Sequence, residues 1–141
     1  MKILVVIEHD NKTVKQSSYS TITAASLIND NVEAIVLGEN LSSISEELKK
    51  SAHLKKIYVV DNNLFQNSLA ENLSKTLKIF IEDRNFTHIL SPSSTFGKNM
   101  SPKLATLLDV QQISDVTKII NDSTFERPIY AGNAIATCKS E

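Results

Sequence analysis

Three glycines, three prolines, one cysteine and no tryptophan occur in 141 residues, and each scarcity excludes something. Gly38, Gly97 and Gly132 lie too far apart for a Gly-x-Gly-x-x-Gly dinucleotide loop. Gly97-Lys98 also fails as a phosphate loop, because Pro92 and Asn99 stand where that motif needs Gly and Ser/Thr. The lone Cys138 rules out an internal disulfide, a Cys-x-x-Cys redox pair and a thiolate zinc cluster. Neither sign of charge dominates: 15 Lys plus Arg against 16 Asp plus Glu leave a formal charge of -1, whereas a nucleic-acid or anionic-membrane surface requires a basic excess. No apolar run approaches the roughly 18 residues of a membrane span, and the apolar start is cut off by Glu8, His9 and Asp10 before it could serve as a signal-peptide core. The first arginine is Arg84, so there is no Arg-rich transit segment. The expectation is a cytoplasmic protein of bacterial type, with no membrane or nucleic-acid partner. The length predicts one domain, residues 1–141, able to bury about two-thirds of its surface without a metal or disulfide.

Four short apolar runs rich in β-branched residues stand out, at 3–7, 32–37, 57–60 and 88–90. Each is followed by polar or turn residues, as buried parallel strands are, and their starts are about 25 to 30 residues apart, the spacing of βαβ units. Helical periodicity fills the gaps. Leu69, Leu73, Leu77 and Phe80 share one helix face. Leu41, Ile44, Leu48 and Ala52 share another, with Ser42 or Ser43 placed to cap it. A short Ala-rich helix is predicted over about 20–28, and a fourth over about 101–108, with Pro102 in its first turn. After Leu108 the texture changes: 113–120, 124–130 and 134–138 read as strands separated by Asn121-Asp122-Ser123 and Gly132-Asn133 turns. The predicted fold is α/β: a Rossmann-like, doubly wound, mostly parallel sheet flanked by helices, with an antiparallel carboxyl-terminal extension added to that sheet.

In an open α/β sheet the ligand crevice lies at the carboxyl ends of the strands. Here Glu8-His9-Asp10, Gly38-Glu39, Asp61-Asn62-Asn63 and the Ser91, Pro92, Ser93, Ser94, Thr95 run would line it. The hydroxyls of Ser91, Ser93, Ser94 and Thr95 permit two readings, a phosphate cradle or an ordinary loop and helix cap. Glu8, Asp10, Glu39 and Asp61 oppose the first by making the crevice acidic. No catalytic constellation emerges. The serines lack a Gly-x-Ser-x-Gly elbow. His9 follows one strand and His88 begins another, so they lie about 15 Å apart at opposite sheet ends, while His53 closes the second helix. No shared metal site is expected.

The last third carries a more specific signal. It reads Thr87-His-Ile-Leu-Ser-Pro-Ser-Ser-Thr-Phe-Gly-Lys-Asn99, then Pro102 and Leu104-Ala105, Ile113-Ser-Asp-Val116 and Thr124-Phe-Glu-Arg-Pro-Ile-Tyr-Ala-Gly-Asn-Ala134. This resembles the amino-terminal domain of the alpha subunit of the electron transfer flavoproteins. That family has Phe-Gly-Lys-Asn, a helix beginning near a proline, Ile-Ser-Asp, and Arg-x-Ile-Tyr-Ala-Gly-Asn-Ala in this order. Glu8-His9 after the first strand and Ser20-Thr-Ile-Thr-Ala-Ala25 extend the resemblance to the opening.

The resemblance implies a scaffold and partner-binding domain of an electron carrier, not an enzyme with catalytic residues of its own. It implies a beta subunit as partner and, through the complex, acyl-CoA and other dehydrogenases as donors and a quinone oxidoreductase as acceptor. FAD is the cofactor of the complete family protein and is held mainly by a carboxyl-terminal domain beyond the resembling region, so no cofactor-binding residue is expected here. The domain resembles adenine-nucleotide alpha-hydrolase folds, but the family's AMP belongs to the beta subunit. A stand-alone nucleotide-binding or regulatory module is the alternative reading. The family continues into more sheet where this chain stops, which predicts a piece of a longer subunit or a truncated product whose last strand self-associates. Among motif residues, Phe96, Lys98, Tyr130 and Asn133 are expected to be structural or at a partner interface. Gly97 is expected in a turn and Asn99 as cap of the following helix. Gly132-Asn133 suits a hairpin turn. Asp115 is expected to pair within the domain, and Arg127 to face a partner or a neighbouring domain.

Overall fold

β1 (Ile3–Val6) carries apolar side chains on both faces because both faces are covered. In a computed structural model that describes residues 1–141, it lies between β2 (Val32–Gly38) and β4 (His88–Leu90), with β3 (Leu54–Asp61) outermost. The order is β3-β2-β1-β4, and every pairing is parallel, with Ile3 opposite both Val32 and His88. Alternation splits the strands between two cores. Ile3, Val5, Ile7, Val32, Ala34 and Val36 meet Ile22, Ala25, Ile44 and Leu48 of helices α1 (Gln16–Ile28) and α2 (Ser42–Leu48). Leu4, Val6, Ile35 and Leu37 meet Leu73, Leu77, Ile81, Met100 and Leu104 of α3 (Ala70–Glu82) and α4 (Thr95–Leu108). The sheet is thus covered on both faces, as a doubly wound fold requires. β3, an outer strand, exposes Lys55 and Lys56, which discourage pairing with another chain.

Several elements differ from the sequence expectation, each for a local reason. α1 starts at Gln16, four residues before the predicted start at Ser20, because the hydroxyls of Ser20, Thr21 and Thr23 donate to carbonyls one turn back, and Ser18 bonds both backbone groups of Glu8. α2 ends at Leu48, and Ala52 and His53 lie in the turn that leads into β3. No serine caps α2. Asp61 accepts from Asn40 N and Leu41 N, both at 2.9 Å. α3 turns Leu73, Leu77 and Ile81 inward, while Leu69 precedes the helix in an extended conformation and is exposed. α4 begins at Thr95 and contains Pro102 in its middle, where one helical hydrogen bond is forgone. Burial of Met100 and Leu104 and the Ser74 hydroxyl donated to Met100 O hold that stretch against α3.

The antiparallel strands do not extend the parallel sheet. β5 (Lys118–Ile119), β6 (Thr124–Ile129) and β7 (Ala134–Lys139) make a separate sheet in the order β5-β6-β7. Hairpin neighbours satisfy one another's ladders, so none needs the edge of β4. Residues 113–117, expected as strand, are irregular, and Asp115 sits at φ 55°. His88 Nε2 and Asp122 O, 2.6 Å apart, join the two sheets at one end. The accessible surface is 8164 Å², above the roughly 7,000 Å² of an average chain of this mass, as a small sheet beside the main core would give.

One contact ties α1 to α2. Tyr19 Oη donates to Glu47 Oε1 at 2.7 Å, and Val14 N donates to Glu47 Oε2 at 3.1 Å. Burial first, then the Glu47 carboxylate, push the Tyr19 phenol up to about 12. A raised folded value means this stability is complete below the unfolded value of 10.0 and is lost as pH climbs toward 12. Tyr19→Phe should lower stability by about 1 kcal/mol at neutral pH. Urea titrations between pH 8 and about 11.5 should show the variant with a shallower alkaline decline than the parent.

Candidate functional site

The carboxyl ends of the parallel strands form a polar crevice whose groups are already engaged with one another. Glu8 follows β1, and its Oε2 accepts from Ser17 Oγ at 3.0 Å and Ser94 Oγ at 2.7 Å. Ser94 in turn caps α4, accepting from Gly97 N at 3.4 Å. His9 accepts from Asn11 N at Nδ1, so its Nε2 carries the proton and donates to Leu37 O at 2.8 Å. The ring lies over Gly38, where an added Cβ would stand 2.7 Å from His9 Cε1. Asp10 accepts from Thr13 N and Lys12 N, and these bonds hold its carboxyl below the usual range. Asp61 caps α2, and Asn62 Oδ1 accepts from Leu64 N.

The hydroxyl run is likewise committed. Ser91 bonds Ser101, Ser93 donates to Asp115, and Ser94 donates to Glu8, while Thr95 opens α4 at the surface. Ser94 therefore serves both as the cap of α4 and as a donor to the Glu8 carboxylate. Ser17 and Ser18 escaped the sequence reading. Their place as adjacent serines at the start of a helix, nine and ten residues after Glu8, was the available signal. His88 lies at the opposite end of the sheet from His9, and no three His, Cys, Asp or Glu side chains converge as a metal site requires.

The motif residues divide between packing and surface. Phe96 packs on the second core. Gly97 is inside α4, not in a positive-φ turn: it is buried, and an added Cβ would lie 1.7 Å from Pro92 O. Close approach, not backbone handedness, is what glycine supplies there. Asn99 is exposed within α4 and caps nothing, because Ser94 is the cap. Lys98 Nζ stands 3.0 Å from Asp115 Oδ1. The Ser93 hydroxyl first, then Lys98, hold the Asp115 carboxyl below its usual range. Arg127 turns toward the same segment: Nη2 donates to Ser114 Oγ at 3.1 Å, and its buried Nε has no partner.

The β6–β7 connection is the most unusual backbone. Tyr130, Ala131 and Gly132 have φ of 50°, 54° and 88°, and Asn133 returns to φ −76°. Tyr130 is 79% exposed, although aromatic and held in a conformation that L residues rarely adopt. Beside it lies an open recess lined by Ser93, Asp115, Val116, Thr117, Pro128, Ala131 and Gly132.

The two glycines give contrasting expectations. Gly97→Ala drives a methyl into a backbone carbonyl and should cost about 2 kcal/mol or more. At Gly132 an added Cβ meets nothing, so Gly132→Ala should cost about 1 kcal/mol, from φ alone. Urea midpoints of the two variants should fall in that order.

Residues 3–141 match the model of the electron transfer flavoprotein domain. The electron transfer flavoprotein subunit alpha of Pseudomonas aeruginosa is 39% identical over 140 residues, covering 99% of this chain and 45% of that protein. The mitochondrial subunit alpha of Dictyostelium discoideum is 41% identical over 143 residues, covering 97% and 40%, and that of Arabidopsis thaliana 37% over 141 residues, covering 96% and 39%. The chain thus spans less than half the length of these relatives. With the domain model matched from residue 3 to the last residue, and with identity to alpha subunits carried along almost all of the chain, this protein belongs to the electron transfer flavoprotein family, in its alpha-subunit branch.

Proposed function

We propose that residues 1–141 are the scaffold and partner-binding domain of an electron-carrying alpha subunit, which docks on a beta subunit and performs no chemistry itself. The complete complex, on this reading, carries electrons from acyl-CoA and other dehydrogenases to a quinone oxidoreductase. The observation that carries the proposal is the apolar surface of the last third. Tyr130, Ile135, Ile120 and Val116 are all exposed in or next to the strands of the small sheet, and Tyr130 is held outward by a strained turn. Exposed aromatic anchors with apolar neighbours are the usual core of a protein interface.

FAD does not fit the residues present. Its diphosphate needs free donors, yet the Ser94 and Ser93 hydroxyls are bonded to Glu8 and Asp115, and the Thr13 and Leu41 amides to Asp10 and Asp61. The recess beside Tyr130 contains Asp115 and is open to solvent, and tryptophan is absent from the chain. This supports assigning the flavin to another part of the complete protein. No helix is long and apolar enough to cross a membrane.

Two measurements test the proposal. An immobilised beta subunit should capture the chain, and Tyr130→Asp should weaken capture by about 30-fold, as loss of an interface anchor does. Equal capture of both proteins would overturn the assignment of the interface. Purified chain should show no flavin absorbance, and a yellow preparation with stoichiometric FAD would overturn the assignment of the cofactor. The free edge of β7 supports a further expectation. Light scattering should show association that rises with concentration, and Thr137→Pro should weaken it.

A further inference from the structure

We propose that the recess beside the 130–132 turn receives a carboxylate side chain, Asp or Glu, of the partner subunit, and that the Arg127 guanidinium is the group that binds it. This rests on the reading of the small sheet as the docking surface for a beta subunit. Arg127 Nε is the single buried side-chain nitrogen or oxygen of the chain that has no hydrogen-bond partner. A buried donor left unpaired is destabilising, and folded proteins carry few of them. Of the five N–H donors of this guanidinium, one is used, from Nη2 to Ser114 Oγ. That contact adjoins the recess, because Asp115, next to Ser114, and Pro128, next to Arg127, both line it.

The charges around the recess are unequal. Lys98 and Arg127 are two cations, and the one carboxylate in the lining, Asp115, is already engaged by Lys98 and by the Ser93 hydroxyl. A second carboxylate would match the second cation. The planar guanidinium fork fits a carboxylate through two parallel bonds, a match that a single neutral acceptor does not make. Val116, Pro128 and Ala131 supply apolar wall for the methylene stem of such a side chain, and the open space of about 520 Å³ lets it enter. Backbone strain gathers at the same place: Asp115, Tyr130, Ala131 and Gly132 all have positive φ. Outliers of this kind collect at ligand clamps. Residues 111–116 make no backbone–backbone hydrogen bond, so this segment can shift and uncover Nε without breaking a ladder. A free anion would use the cations alone. A protein carboxylate arrives with neighbours that also cover the exposed Tyr130 and Val116, which favours the protein.

The test is capture of the full chain by immobilised beta subunit, paired with the thermal midpoint of each unbound variant. Arg127→Met keeps an extended side chain and removes the orphaned donor, so its midpoint should equal or exceed that of the parent. Its affinity for the beta subunit should fall by about 30-fold, as happens when one partner of a buried charge pair is removed. Arg127→Lys keeps the charge but not the fork and should recover only part of that loss. Lys98→Glu changes an exposed side chain and should weaken capture by about tenfold, through slower association. Added salt should weaken capture of the parent more than capture of Arg127→Met. Failure to capture the parent overturns this inference together with the docking reading. Parental affinity in Arg127→Met overturns this inference alone and leaves docking standing. If Arg127→Met has a lowered midpoint, Lys98→Glu decides: capture at parental affinity overturns the inference, and tenfold weaker capture supports it.

Discussion

Burial of β1 on both faces and both edges is the constraint from which the rest of the molecule follows. Its side chains from Ile3 to Ile7 are almost wholly excluded from solvent. One such strand cannot be covered by a single layer, so helices must lie on both sides, and its backbone groups require a parallel neighbour on each edge. The same constraint admits a charge in β2. Glu33 is buried, but it is tied to Tyr58 Oη at 2.8 Å and Lys2 Nζ at 3.4 Å, and those partners make a carboxylate tolerable there.

Where the buried strands end, the chain turns its polar groups on itself. Glu8, Asp10 and Asp61 each accept hydrogen bonds that would otherwise hydrate or bind something else. This end of the sheet is joined to the segment before the small sheet through Ser93, whose hydroxyl meets Asp115, and through Lys98, which meets the same carboxylate from α4. The Ser93–Asp115 and Lys98–Asp115 contacts hold the segment leading into β5, while His88 holds the far turn.

The small sheet consequently projects its turn outward. Three successive residues with positive φ at 130–132 are unfavourable in isolation, and the β6–β7 ladder on either side holds them in place. Half-buried Arg127 donates to Ser114 Oγ, while Tyr130 stands exposed. Exposed apolar side chains occur on both units, Leu27 and Ile79 on the helices of the main sheet and Tyr130 and Ile135 on the small one, and only Tyr130 is held out by a turn of this kind.

The four parallel strands, the alternation of helices, the change of texture after Leu108 and the family were legible in the chain, because apolar period, turn residues and short motifs are local properties. The roles of particular motif residues were less so. Gly97 reads as a turn because glycine often makes one, and nothing nearby in sequence announces the Pro92 carbonyl against it. The start of α1 was obscured by serines and threonines that disfavour helices until their hydroxyls find carbonyls one turn back. The separation of the antiparallel strands into their own sheet depends on which edge each ladder meets, and hydrophobic period carries no information about edges. The contacts between strand ends are more remote still: Ser94 and Glu8 are 86 positions apart, and only the return of the chain from β3 across to β4 brings hydroxyl and carboxylate together.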